Sequence, residues 1–230
     1  MARPREFDLE EALQGALHQF WQKGYEGTSL HDLTEAMGIT RPSLYAAFGN
    51  KEQLYRTVLD RYESRYLGFV GPTFGEPTAR AVIEKLLYSY ADANTGETTP
   101  PGCFGMNGAV ACSDEGEPIR QELLARRSAA ERMLAERLAR AREEGDLPPE
   151  TDPETLAKYV MTVAQGVAMQ AKSGASRKAL HDVIAIALGA LPSPAPRPAL
   201  TRRRGAKSGP MVAGRGAGWR TRRKAEAGRA

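Results

Sequence analysis

Three histidines, His18, His31 and His181, and two cysteines, Cys103 and Cys112, are the side chains best suited to metal binding or nucleophilic chemistry. Their spacing builds neither. The histidines fall in three separate helical stretches, and no glycine-rich phosphate loop follows a strand-like run. No metal, cofactor or catalytic constellation is therefore expected. Cys103 and Cys112 are nine residues apart. On one helix that spacing means about 13 Å of rise and roughly 900° of rotation, so the thiols face opposite ways and do not bridge within the helix. Cys103 falls in the first turn of such a helix, where the dipole favours a thiolate. It is a candidate sensor of oxidants or electrophiles, with a buried structural thiol as the plainer alternative.

A different chemistry lies between Thr28 and Tyr55. Arg41, Ser43 and Tyr45 share the polar side of a short helix, and Lys51 opens the next one. Such donors suit base edges and phosphates. The elements that position them are legible from local signals. Thr28 and Ser29 start a helix whose apolar Leu30, Leu33, Ala36 and Met37 recur at spacings of three and four. Gly38 ends it, Ile39 plugs the corner, and Thr40 caps a second helix over about Arg41 to Phe48 with Pro42 in its first turn. That helix sends Leu44, Ala47 and Phe48 inward. Gly49 and Asn50 break it before Lys51. The layout is that of a helix-turn-helix DNA reader, against the alternative of two amphipathic core helices with a solvated polar face.

With Phe20, Lys23, Gly24 and Tyr25 ahead of it, and Ile39-Thr40, Ser43-Leu44-Tyr45, Phe48 and Lys51-Glu52-Gln53-Leu54 within it, this segment resembles the DNA-binding domain of the TetR/AcrR family of bacterial transcriptional regulators. The resemblance implies that Thr28 and Lys51 hold phosphates and that Thr40, Arg41, Ser43 and Tyr45 face the groove. With Ser29, these form the implied DNA-binding set. Many family members carry Tyr and His in the two positions after the one matching Tyr45. Here Ala46 and Ala47 stand there, shifting the expected grip onto Tyr45, Lys51 and the flanking segment.

A chain of 230 residues is long enough for a small reader and a larger helical domain. Ala, Leu, Glu and Arg dominate its periodic stretches, which predicts an all-α protein. The formal charge of +4 is no argument for nucleic acid, because eleven Lys or Arg against one Glu lie from Leu191 onward and leave −6 on the first 190 residues. Binding by the folded part must come from local placement. The sequence shows no long apolar run and no signal-peptide core, so a cytoplasmic, non-membrane protein is expected.

The leading helix should run from Arg5 to Gly24, with Leu9, Leu13, Leu17, Phe20 and Trp21 on one stripe. The helix opened by Lys51 should continue through Tyr66, giving a reader over residues 5–66. A turn-rich break over Gly71 to Pro77 precedes a larger domain over 77–191. Helices are predicted over Thr78 to Ala93, Cys103 to Cys112, Pro118 to Glu144, Pro153 to Lys172 and Ser176 to Leu191. The many Arg/Glu pairs of the third of these read as a solvated face, with Met133 among the apolar residues of its other side. The last two helices carry more apolar residues, Val183 and Ile186 included, than one-sided packing needs, which the resemblance assigns to a homodimer interface. The tail over 192–230, with Arg202-Arg203-Arg204 and Arg220 to Lys224, reads as disordered and as a candidate nonspecific phosphate-binding arm.

The resemblance also implies a cavity for a small-molecule effector. Its candidate lining is Leu86, Tyr90, Cys103, Met106, Asn107, Met133, Met161, Gln165 and Met169, none of them charged, and core packing is the alternative role for each. The expected function is a dimeric repressor on a palindromic DNA operator, released by a ligand or redox signal. A helical protein–protein adaptor without sequence-specific DNA binding and a helical enzyme are the other classes open to such a chain.

Overall fold

Helix α1, Leu9–Lys23, is capped by Asp8, whose carboxylate accepts from the Glu10 and Glu11 amides, and its Leu13, Leu17, Phe20 and Trp21 are buried. The computed structural model describes residues 7–107 and 113–193, and these contain helices and no strand. Cys112 and the basic clusters of the tail lie outside the described residues.

Two short helices follow, α2 over Leu30–Met37 and α3 over Arg41–Phe48, joined by Gly38 at φ 64°, ψ 29°. That left-handed conformation carries no Cβ penalty only in glycine. Ser29 and Asp32 cap α2 reciprocally, the Ser29 hydroxyl accepting from the Asp32 amide while the Asp32 carboxylate accepts from the Ser29 amide. Gly15 lets α1 lie directly on α2, because a Cβ there would come within 2.2 Å of the Ala36 carbonyl oxygen. Helix α4, Lys51–Tyr66, begins with a second reciprocal cap between Asn50 and Gln53.

The rest comprises α5 (Val70–Thr73), α6 (Ala79–Asn94), α7 (Phe104–Asn107), α8 (Glu117–Glu143), α9 (Pro153–Lys172) and α10 (Arg177–Gly189). Helix α9 packs on both α8 and α6, and α10 closes against α6. Two expectations are corrected. The break after α4 contains the unexpected turn α5, and the described helix after Cys103 is the four-residue α7, with Cys103 ahead of it rather than in its first turn.

Two apolar clusters form the interior. One gathers Leu17, Leu33, Leu44, Leu54 and Tyr62 of α1 to α4 and takes in Cys103, Phe104, Ile119, Leu123 and Ala168 from beyond the break. The other joins α6, α8, α9 and α10 through Ile83, Leu87, Leu138, Val160 and Ile184. Trp21 binds the reader to the segment before α7 by donating its indole N–H to the Gly102 carbonyl at 2.6 Å. Phe104 lies among Trp21, Tyr55 and Tyr62 with ring centroids 6.5, 5.0 and 5.2 Å away.

Candidate functional site

On α3, Leu44 is fully buried and anchors the helix, while Arg41 and Tyr45 project from its exposed side, Tyr45 with 49 % of its surface accessible. Thr40 caps the helix by accepting from the Ser43 amide at 3.3 Å, and the two hydroxyls lie 2.9 Å apart. Thr40, Arg41, Ser43 and Tyr45 are thus held on one short, capped element. Ala46, next to Tyr45, is also exposed and offers only a methyl group.

The flanking residues differ more from expectation. Thr28 is 0 % exposed, and its hydroxyl donates to the Gly24 carbonyl at 2.6 Å. Its side chain ties the end of α1 to the start of α2, which corrects the expectation that it holds a phosphate. Ser29 is exposed, but its hydroxyl donates to the Asp32 carboxylate at 2.6 Å. Asp32 also receives Lys23 Nζ at 2.6 Å, and these hydrogen bonds, Lys23's first, hold its carboxyl well below the usual carboxylate range. The ammonium of Lys51 sits over the Tyr25 ring, 4.4 Å from its centroid, and burial lowers its pKa.

A cavity of about 150 Å³ lies between α4, α6, α8 and α9. Six of the expected residues border it: Leu86, Tyr90, Cys103, Met106, Met161 and Gln165. Asn107 does not, and Met133 and Met169 are turned outward with 50 % and 44 % of their surface exposed. For Met133 this corrects its expected place on the apolar side of α8. The expectation of an uncharged wall is also corrected, because Glu63, Arg126 and Arg127 border the cavity.

Arg126 is part of a bridge between α8 and α4, donating to Glu63 at 2.6 Å, to Asp60 at 2.7 Å and to Glu122 on its own helix at 2.7 Å. Arg56 of α4 donates back to Glu122 at 2.6 Å and pairs with Glu52 at 2.6 Å. The solvated-face reading of α8 is therefore corrected for these residues. It fails again at Arg137, which is buried and donates to the carbonyls of Phe74 and Glu76. Burial opposes the charge of Arg126, but its three carboxylate partners outweigh that and raise its pKa.

Cys103 is buried at the cavity edge, where its sulfur accepts from the Tyr62 hydroxyl at 3.5 Å. Burial, and then the neighbouring thiol, push the phenols of Tyr62 and Tyr90 well above their ordinary pKa. Among the described residues no group of His, Cys, Asp and Glu is arranged to hold a metal ion. Nor is any described helix long and apolar enough to cross a membrane.

Comparison with known proteins adds relatives along most of the chain. The family model for bacterial regulatory proteins of the tetR family matches residues 12–58, and that for the tetracyclin repressor-like C-terminal domain matches residues 79–187. The HTH-type transcriptional repressor ComR of Escherichia coli (strain K12) is 37% identical over 79% of this chain and 87% of its own. The TetR family transcriptional regulator CifR, solved as a cysteine mutant with a 26-base-pair operator duplex, is 41% identical. It covers 83% of this chain and 100% of its own with a TM-score of 0.79. A TetR regulator from Rhodococcus sp. RHA1 is 36% identical over 81% of this chain and 100% of its own, with a TM-score of 0.56.

Proposed function

The chain belongs to the TetR family of bacterial regulatory proteins, and from that premise we propose that it is a transcriptional repressor that binds a palindromic DNA operator as a homodimer. The observation that carries this reading is α3, where buried Leu44 fixes a capped helix whose outer side offers Thr40, Arg41, Ser43 and Tyr45. Such a helix enters a major groove with its N-terminal residues on the base edges. Lys51, at the start of α4, supplies a phosphate contact that sets its register. CifR, which is similar along the whole of its length, has been captured on operator DNA.

In this reading residues 5–66 form the reader and 77–191 the effector-binding and dimerising part. Val183 and Ile186 of α10 stand 53 % and 78 % exposed on a helix whose other side is buried. An apolar face of that kind suits a two-fold pairing with a second copy. The signal enters at the cavity, as a small molecule or as modification of Cys103 on its edge. The protein acts as a cytoplasmic regulator rather than as an enzyme or a DNA-independent adaptor.

Selection of random duplexes by the purified full-length protein tests the proposal. Enrichment of a two-fold symmetric sequence is the expected result. A folded protein that retains no sequence over background would support the adaptor instead.

A further inference from the structure

Two neighbouring guanidiniums border the cavity in opposite circumstances. Arg126 is saturated by Asp60, Glu63 and Glu122. Arg127 forms no hydrogen bond or ion pair with any described residue. It occupies a position that helical periodicity gives to the interior: Leu123, Arg127, Ala130 and Leu134 recur at spacings of four, three and four, and all four border the cavity. Its charge lies close enough to Tyr90 to lower that phenol's pKa against the larger effect of burial.

Arg127 is half-buried beside a mainly apolar wall and has no counter-charge of its own among the described residues, an arrangement that a bound anion would complete. Its planar fork matches a carboxylate through two parallel hydrogen bonds. The rest of the wall is mainly apolar, with Leu59, Leu86 and Met161 among its residues. The volume, about 150 Å³, is that of a cavity known to admit a single benzene ring. We propose that the cavity takes a small monocarboxylate with an apolar body of about one ring, its carboxylate held by Arg127 and its body by the apolar wall. The proposal rests on the reading of this cavity as the effector site.

Calorimetric titration of the full-length protein with benzoate and hexanoate, each beside its neutral amide, tests the assignment. In the unmodified protein one of the acids should bind at least about tenfold tighter than its amide, the range of a charge-assisted hydrogen-bond pair. Arg127→Met should bring that ratio to about one, and Arg127→Lys should keep part of it. Equal binding of acid and amide, binding by neither acid, or an unchanged ratio in a folded Arg127→Met would overturn the proposal. Should Arg127→Met not fold, the ratios in the unmodified protein and in Arg127→Lys decide alone. Operator affinity is measured in parallel on ligand-free and ligand-saturated protein. Acid binding that leaves it unchanged supports the carboxylate site and overturns the effector reading beneath it.

Discussion

Arg126 of α8 donates from Nη1 to the Glu63 carboxylate of α4 at 2.6 Å, and both side chains border the cavity. One ion pair thus belongs to the cavity wall and to the helix that follows α3. If the cavity is the effector site proposed above, a ligand that displaces either partner would change how α4 leans on α8, and α4, capped at Asn50 directly after α3, would carry that change toward the reader.

Replacing Arg126 with Met leaves Asp60, Glu63 and Glu122 without their shared cation. The expected cost is about 1–3 kcal/mol of stability, below that of a fully buried pair because the network is partly solvated. It should also reduce the effect of a cavity ligand on operator affinity. Urea unfolding and operator titrations with and without benzoate check both, and undiminished coupling would remove this pair from the signal's route.

Acid should loosen the same bridge. Burial alone would raise the Glu122 pKa, but hydrogen bonds from Arg56 and Arg126 outweigh it and leave the pKa below the ordinary 4.5. A depressed carboxylate pKa contributes stability that is present above 4.5 and is lost as the pH falls through the folded value. The stability gap between the unmodified protein and Glu122→Gln should therefore shrink as pH falls from about 6 to 3. A constant gap would mean that Glu122 is not ionised in the bridge.

Much of the reader was legible because its signals are local. Ser29, Gly38 and Thr40 act on the turns they belong to, and their types and spacing carry the information. Thr28 departs from expectation because its hydroxyl is buried and turned back onto the Gly24 carbonyl four residues earlier, and residue type alone does not distinguish that turn from an outward cap. The close approach of α1 to α2 at Gly15 is likewise a property of two helices together. The cavity was half legible. Cys103, Tyr90 and Met161 followed from residue type, but Met133 and Met169 depended on which way α8 and α9 face. Arg127 had a signal, a cation on an apolar heptad-like stripe, that the surrounding Arg/Glu pairs concealed.

Arg41→Ala and Tyr45→Ala remove exposed side chains, so each should change stability by less than about 0.5 kcal/mol. Each should cost about 1–3 kcal/mol of operator affinity and relax preference at one base position. Lys51→Gln should instead weaken all sequences alike and lower the salt slope by about one. Binding isotherms on the selected operator and on point-substituted duplexes separate the two patterns.

Cys103→Ser separates the two forms of the signal. If oxidants or electrophiles act through the buried thiol, operator release by either should disappear in this variant while ligand-free operator affinity stays unchanged. An unaltered response excludes the thiol as the sensor.

Two copies of α3, held by one dimer, are expected to read successive major grooves. Operator affinity after about five base pairs, half a helical turn, are inserted between the half-sites of the selected duplex measures this. Affinity should fall to the nonspecific level and return in part when about ten are inserted. Affinity indifferent to the five-pair insertion would contradict it.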